Sequence, residues 1–385
     1  AVLYDVAAGA YVDNVEPQAL QLRGAVTVDT LTGAVTCRPA FDAYANLCAE
    51  YAPERAAEIT WIEAPQIRAT ARLIGRSQAV SCHAWAGLEM HSNTSQTGRA
   101  IACLYALTGC FDAPGGNVIL NPVPANTIWG QELTPAGMTA KPVGLEQRPL
   151  GPESIFGWIT TDGFYKAVLE RKPYGINALV SFGLNMLMSH ADGERGKRAL
   201  EALDFMVHAD LFMTPTAEKA DIFLPVNTPW EREAMKTDFY ADQTATSHVQ
   251  LRQKVIEPLG ESQSDAWIAM ELGKRLGYGD AFWDGDLDAA RRQVLEPSGI
   301  DLEQLRAAPA GINLGLESRY RKYAEEVDGH SVGFGTPSKR VELYSETLHA
   351  NGYDPLPRYL EPAVGPYSRP DLAKDFPLVL TDTKT

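Results

Sequence analysis

Two polar segments in the middle of the chain have residue types that nucleotide sites use. Gly183 and Asn185 directly follow an apolar run at 176–182, and Asp210 ends a second run that begins at Phe205. Glycine lets the backbone approach a ligand, asparagine offers a donor and an acceptor, and an aspartate at a strand end can bind both hydroxyls of a ribose. The pattern indicates nucleotide binding; an ordinary turn is the alternative, because the full GxGxxG fingerprint is absent.

Two threonines follow the second run. Thr214 and Thr216 flank Pro215 at the start of a predicted helix. Free N–H groups and hydroxyls at a helix start can bind a phosphate or a sugar. Simple N-capping is the alternative interpretation.

A second polar cluster contains His83, Trp85, Glu89 and His91. Two histidines and a glutamate are metal-ligating types, but their spacing lacks the helical HxxxH or HExxH frame. We therefore predict no metal site from these residues alone.

The cysteines contain no CxxC pair, which argues against a zinc site or a cubane iron-sulfur cluster. Each is interpreted as a small buried apolar residue. GxSxG, P-loop and kinase signatures are absent as well, so hydrolase and phosphotransferase chemistry lacks its usual parts. Taken alone, the residues offer a place for a nucleotide and no evident reactive group. The five cysteines are Cys37, Cys48, Cys82, Cys103 and Cys110.

Alternating strand and helix patterns position the central candidates. A strand, helix, strand, helix, strand order implies a parallel sheet covered by helices, whose ligands bind beyond the carboxyl ends of the strands. The predicted elements are strands at 176–182, 205–210 and 221–224, a helix at 194–203 and a short helix at 215–220 capped by Thr214.

The remaining patterns predict a mixture of small elements. Extended patches near the start indicate a hairpin-like insertion, and prolines are placed as first-turn residues of helices. The predictions are hairpin strands at 25–28 and 34–37, helices at 43–49 and 65–74 with Pro53 and Pro65 in first turns, a strand at 79–85, a helix at 98–108 ending at Gly109, an ordered loop at 114–152 and a helix at 265–276.

The composition is that of a folded α/β protein, with 45% hydrophobic and 22% charged residues. The formal net charge of −15 argues against a nucleic-acid partner. No apolar run is long enough to cross a bilayer. Both termini are interpreted as lying within a longer polypeptide, with a strand beginning near Phe376.

Motifs along nearly the whole chain resemble those of the dimethyl sulfoxide reductase family of molybdoenzymes. The motifs are WAGLEMHSN at 85–93, GRAI at 98–101, LTG at 107–109, PGGN at 114–117, FGLN at 182–185, LDF at 203–205, DLFMTPT at 210–216, ADIFLP at 220–225, WE at 230–231, FGTPS at 334–338 and VELY at 341–344.

The resemblance implies two Rossmann-like parallel-sheet domains with helices on both faces, besides the small β insertion. Each domain would hold the guanosine end of one molybdopterin guanine dinucleotide carrying Mo or W. One guanosine pocket would be lined by Gly183, Asn185, Asp210, Thr214 and Thr216. Toward the pterin side of the other domain would lie Trp85, Gly87 and Glu89.

The same resemblance implies a division into residues 1–150, a guanine-dinucleotide domain at 151–370 and the start of a C-terminal domain at 371–385. The metal ligand and an iron-sulfur domain would precede this chain, so the chain itself would be inactive. The full-length enzyme would act on a small molecule and work with an iron-sulfur electron-transfer subunit. Both a periplasmic location, reached through a twin-arginine leader, and a cytoplasmic location stay open.

Departures from the family pattern bear on the substrate. Formate dehydrogenases carry an active-site arginine near the position of Pro124, which argues against that activity. The common GxNP has become GLNM at 183–186. Reductases of sulfur compounds, acetylene-hydratase-like enzymes and catechol-dehydroxylase-like enzymes remain open. A non-catalytic scaffold subunit like that of respiratory complexes is also open, whereas the absent GxGxxG disfavours a nicotinamide dehydrogenase.

Overall fold

The computed structural model describes residues 20–128, 143–145, 149–150 and 159–379, together with the backbone of two short strands within 3–12. The chain forms two compact units. The first contains Ala1–Ile119 and Arg319–Thr385, and the second contains Leu120–Ser318. The domain boundaries implied by the family resemblance differ from this division and stay predictions.

The first unit begins with two hairpins followed by five helices. Its elements are β1 (Leu3–Asp5), β2 (Ala10–Val12), β3 (Val26–Thr30), β4 (Gly33–Cys37), α1 (Ala40–Ala49), α2 (Pro53–Thr60), α3 (Ala64–Arg76), α4 (Ala86–Glu89) and α5 (Thr94–Thr108). Strands β3 and β4 pair antiparallel with Val28 opposite Val35, which confirms the predicted hairpin.

Proline and glycine set the ends of these helices as predicted. Pro53 is the first residue of α2, and Pro65 lies in the first turn of α3. The missing N–H of proline costs nothing there, because the first turn leaves its N–H groups unpaired. Helix α5 ends at Gly109, whose φ of 70° is the left-handed conformation that glycine adopts at helix ends.

The strand predicted at 79–85 is wrong, since these residues have no regular secondary structure. The side chain of Asn117 explains the difference. Its Nδ2 donates to the carbonyl of Cys82 at 2.9 Å, and its Oδ1 accepts from the amide of Cys82 at 2.9 Å. The side chain of Asn117 thus forms hydrogen bonds with both backbone groups of Cys82, which a neighbouring strand would otherwise bind. Among its described residues the first unit contains no parallel sheet.

The second unit contains a parallel and an antiparallel sheet with their helices. Its elements are α6 (Thr161–Leu169), β5 (Ala178–Phe182), α7 (Met186–Ser189), α8 (Gly193–Glu201), β6 (Phe205–Asp210), β7 (Ile222–Pro225), β8 (Ala234–Lys236), α9 (Gln243–Thr246), β9 (His248–Arg252), α10 (Asp265–Gly273), α11 (Leu287–Leu295), α12 (Leu302–Arg306) and β10 (Ile312–Asn313). Short turns of 3₁₀ or π type lie at Ala217–Lys219, Pro229–Glu231, Lys274–Tyr278, Gly279–Gly285 and Glu296–Ser298.

The parallel sheet has the order β5-β6-β7, which confirms the three predicted central strands. Helices α6, α7 and α8 pack against one face, where Tyr165, Leu200 and Met206 are buried in a common apolar core. The alternation of side chains along each strand places Val180 and Phe205 on the opposite face, where both are exposed. The described residues therefore cover the sheet on the Met206 side.

The antiparallel sheet has the order β8-β9-β10 and its own core. Val249 and Leu251 of β9 are buried against Leu295, Leu302 and Leu305 of the last two helices of the unit. Each sheet of the second unit thus has a separate set of buried apolar side chains.

The chain returns to the first unit after residue 318. The elements there are β11 (Glu326–Val327), β12 (His330–Ser331), α13 (Glu346–Ala350) and α14 (Pro370–Asp375), with a 3₁₀ turn at Lys322–Ala324. Residues 376–379 form no strand, contrary to the prediction for this segment, and 380–385 lie outside the described residues. No helix in the described part has the length and hydropathy of a membrane span.

A buried ion pair ties the two chain segments of the first unit together. The carboxylate of Asp112 accepts from the amide of Lys322 at 2.9 Å, from its Nζ at 2.8 Å and from the amide of Ile119 at 3.0 Å. Burial opposes ionisation of Asp112, but the bonds from Lys322 and Ile119 outweigh it and hold the pKa of this carboxyl below its usual value.

Replacing Asp112 by Asn should lower the free energy of unfolding at pH 7 by about 3 kcal/mol, because the Lys322 ammonium loses its buried partner. The folded-state pKa of Asp112 is depressed, so its contribution is present above about pH 4 and is lost as the pH falls through the folded-state value. Urea unfolding at several pH values measures both effects. Glu58→Gln, which removes an exposed partner of Arg55, is the control and should leave stability unchanged; equal behaviour of the two variants would contradict the role of Asp112.

Candidate functional site

The carboxyl-terminal edge of the parallel sheet brings the central candidates together. Strand β5 ends at Phe182, and the next residue, Gly183, is exposed and donates its amide to the carbonyl of Ala209 at 2.8 Å. The φ of Gly183 is 58°, a conformation that other residues adopt only with strain. A glycine is therefore needed where the chain leaves β5 and exposes its backbone at the sheet edge.

Asn185 lies two residues further on and is held by a buried threonine. The hydroxyl of Thr216 donates to Oδ1 of Asn185 at 3.2 Å and accepts from the amide of Leu187 at 3.0 Å. Thr216 is fully buried and Asn185 is half-buried. Among the described residues, Nδ2 of Asn185 finds no acceptor, so two N–H bonds of this amide are left for a ligand or solvent.

Asp210 ends β6 beside this segment. Its Oδ1 accepts from the amide of Leu211 at 2.6 Å, and its Oδ2 lies 3.2 Å from Nε2 of His208. The side chain is 14% exposed, so the carboxylate is largely enclosed but still reaches solvent. A carboxylate has about four acceptor positions, and these two bonds leave part of them unused.

The threonines on either side of Pro215 have structural partners. The hydroxyl of Thr214 accepts from the amide of Ala217 at 3.1 Å, as in the alternative interpretation of this residue as an N-cap. Thr216 braces Asn185 from inside the fold. In the second-unit part of the predicted set, the groups left for a ligand are the backbone of Gly183, the amide of Asn185, part of the carboxylate of Asp210 and the hydroxyl hydrogen of Thr214.

The other predicted site residues lie in the first unit. Trp85 precedes α4 and is 73% exposed, while Gly87 and Glu89 are exposed on the helix itself. Apart from its chain neighbours and the backbone of its own helix, no atom lies within 4 Å of the position that a Cβ on Gly87 would occupy. The three residues form an accessible polar and aromatic turn. In the described part of the chain, no three His, Cys, Asp or Glu side chains form a group that could hold a metal.

Glu231 of the WE motif supports a turn. Its carboxylate accepts from the amides of Thr228 at 2.6 Å and Leu259 at 2.7 Å. These bonds hold the pKa of Glu231 below its usual value. Glu231 therefore joins two loops of the second unit.

Two polar residues behind Asp210 were not predicted from the sequence. His208 is completely buried, its Nδ1 lies 2.7 Å from the hydroxyl of Ser181, and Ser181 is buried as well. The only available signal was the spacing, since residues 208 and 210 of one strand point to the same face.

This arrangement can bind the polar parts of a ligand through backbone, amide and carboxylate groups at one sheet edge. Such groups suit sugar hydroxyls and the edges of a base. None of these groups is an activated nucleophile, so the edge is suited to holding a ligand and leaves the chemistry to a cofactor.

Comparison with known proteins identifies the family. The family model described as molybdopterin oxidoreductase matches residues 70–275, which is more than half of the chain. The chain therefore belongs to the molybdopterin oxidoreductase family, and the resemblance to the dimethyl sulfoxide reductase family found in the sequence is confirmed.

Two curated relatives cover most of the chain. It is 28% identical over 357 residues to the acetylene hydratase of Syntrophotalea acetylenica, covering 86% of this chain and 47% of that protein. It is 30% identical over 367 residues to the probable dimethyl sulfoxide reductase chain YnfF of Escherichia coli, covering 86% and 43%.

A solved structure supports the fold. The acetylene hydratase from Pelobacter acetylenicus matches with a TM-score of 0.72 at 26% identity, over 86% of this chain and 47% of that one. The mixed α/β architecture with a parallel sheet and helices is thus shared with this enzyme. The chain spans about half the length of the relatives it matches.

Replacing Thr216 by Val should free the amide of Leu187 and release Asn185, because the methyl group cannot replace the hydroxyl. We expect hydrogen exchange of the Leu187 amide to become at least about fivefold faster, since the lost bond contributes roughly 1 kcal/mol or more. Thr216→Ser keeps the hydroxyl and is the matched control, with exchange close to that of the parent chain. Equal protection in all three proteins would show that Thr216 does not hold this segment.

Proposed function

We propose that this chain is the central, cofactor-holding part of a molybdenum or tungsten oxidoreductase that uses a bis(molybdopterin guanine dinucleotide) cofactor. The observation that carries the proposal is the set of polar groups with unused hydrogen-bonding capacity at the edge of the parallel sheet, in a chain that belongs to the molybdopterin oxidoreductase family. Guanosine ends of dinucleotides offer the ribose hydroxyls and polar base edges that such groups bind.

Each residue of the second-unit set has a role in the proposal. Asp210 accepts from the ribose hydroxyls, Asn185 donates through Nδ2, and the exposed backbone of Gly183 allows close approach. Thr214 lines the same pocket, while Thr216 keeps Asn185 in place. The residues fit the ligand because the amide of Asn185 and part of the carboxylate of Asp210 have no other partner among the described residues.

The first-unit set faces a different part of the cofactor in this proposal. Trp85, Gly87 and Glu89 lie toward the pterin of the second dinucleotide. Their exposure on and before α4 supports a contact role. The full-length enzyme would contain two Rossmann-like domains, with residues 1–150 completing one, 151–370 forming the other, and 371–385 starting a C-terminal domain.

When bound, the cofactor supplies two-electron redox chemistry with transfer of an oxygen atom or hydroxyl to or from a small substrate. The residues of this chain bind and orient the nucleotide ends. The metal ligand and the iron-sulfur cluster come from other parts of the full-length protein, so the chain alone is inactive. One relative is named as a chain of a dimethyl sulfoxide reductase, and we propose an iron-sulfur electron-transfer subunit as partner.

Titration with guanosine diphosphate tests the pocket directly. Asp210→Ala should bind at least about tenfold more weakly than the parent chain, because hydrogen bonds to a charged group contribute roughly 1.5–3 kcal/mol. Isothermal titration calorimetry measures the difference.

Asp371→Ala is the matched control for that titration, since it removes an exposed carboxylate paired with Arg369 and changes the net charge equally. It should leave the affinity unchanged. Equal affinities in Asp210→Ala and the parent chain would show that the ribose assignment is wrong.

Metal and pterin analysis of the full-length protein separates the enzyme from a scaffold subunit of the same fold. We expect molybdenum or tungsten together with the fluorescence of oxidised pterin after denaturation. A well-folded full-length protein with neither metal nor pterin would favour the scaffold subunit.

A further inference from the structure

A hydrogen-bonded row of side chains crosses the parallel sheet behind the candidate pocket. The hydroxyl of Ser181 lies 2.7 Å from Nδ1 of His208, and Nε2 of His208 lies 3.2 Å from Oδ2 of Asp210. Ser181 and His208 are register partners in the parallel pairing of β5 and β6. The row therefore links one strand to the carboxyl end of the next through an imidazole.

The position of His208 along β6 is informative. Side chains alternate between the two faces along a strand, so those of Met206, His208 and Asp210 lie on the same face of the sheet. Met206 is buried in the apolar core against the helices, whereas Asp210 reaches solvent. The imidazole thus lies between the apolar core and the carboxyl end of the strand, and its burial is complete. An apolar side chain would avoid the desolvation cost of a buried imidazole, so packing alone gives no reason for a histidine here.

The chemistry of the three groups sets the direction of the hydrogen bonds. An ionised carboxylate can only accept, so Nε2 of His208 donates to Asp210. In a neutral ring Nδ1 must then accept, and the hydroxyl of Ser181 is the group that donates to it. The carboxylate of Asp210 therefore sets the tautomer of His208, and Ser181 holds the ring orientation through the short contact at 2.7 Å, with the carbonyl of Val207 as a weaker second acceptor for its hydroxyl at 3.5 Å.

Two donors hold the carboxylate of Asp210, one on each oxygen. The amide of Leu211 bonds Oδ1, and His208 bonds Oδ2. With both oxygens fixed, the plane of the carboxylate is fixed, and the remaining acceptor positions keep one direction. A preorganised acceptor binds more tightly than one that must be ordered by its ligand.

We propose that His208 is a positioning residue for ribose recognition, oriented by Ser181 and acting through Asp210. This inference rests on the proposed function, because it needs Asp210 to bind the two hydroxyls of a ribose. Without the imidazole, the carboxylate of Asp210 would be freer to rotate about its side-chain bonds. Only the contacts with the ribose hydroxyls would then be weakened.

The test compares guanosine diphosphate with its 2′,3′-dideoxy analogue, which lacks both hydroxyls. Binding of each is measured by calorimetry to the parent chain and to the variants Asp210→Ala, His208→Leu and His208→Gln. We expect His208→Leu to bind guanosine diphosphate about tenfold more weakly and the dideoxy analogue as well as the parent does. His208→Gln should restore most of the preference for guanosine diphosphate over the dideoxy analogue, because the side-chain amide of glutamine can donate to Asp210.

The possible failures are distinguishable. If the parent chain does not prefer guanosine diphosphate, or Asp210→Ala keeps that preference, the proposed ribose site itself is wrong and the inference falls with it. If Asp210→Ala loses the preference and His208→Leu keeps it, the ribose site stands and the role of His208 is overturned. Equal weakening of both ligands in His208→Leu, without rescue by Gln, would show a general disturbance of the fold and would likewise overturn it.

Discussion

The parallel pairing of β5 with β6 decides where Ser181, Gly183, His208 and Asp210 of the candidate site lie. It sets Ser181 beside His208, and the bond from the amide of Gly183 to the carbonyl of Ala209 extends the contact past the strand end. Because side chains alternate along a strand, a slip of one residue would turn His208 away from Ser181. The buried Met206 on the same strand resists that slip, since it would leave the apolar core.

A second group of hydrogen bonds fixes the polar residues that follow β5. Thr216 joins Asn185 to the amide of Leu187. A buried donor or acceptor without a partner costs about 1–3 kcal/mol, which is comparable to the net gain from several good hydrogen bonds. The geometry of the edge is therefore fixed by the cost of breaking these bonds before any ligand arrives.

Much of the second unit could be predicted because apolar runs, glycines and prolines mark its strands locally; β5, β6 and β7 lie where the sequence indicated. The segment 79–85 could not be predicted in the same way, since its outcome depends on Asn117, far along the chain. The burial of His208 could not be predicted for a related reason. A polar residue in a strand has the same local pattern whether it faces solvent or the core, and only the register and the covering helices decide.

A comparison of two aspartates separates a structural carboxylate from one suited to binding. Asp112 is fully buried and accepts three bonds, two of them from Lys322, so its acceptor capacity serves the fold. Asp210 accepts two and keeps 14% of its side chain exposed. Replacing buried polar networks by apolar residues is often neutral or stabilising. A scaffold that needed only stability would therefore have no use for the buried imidazole of His208 and the partly exposed carboxylate of Asp210. Their presence at the sheet edge supports a ligand-holding role.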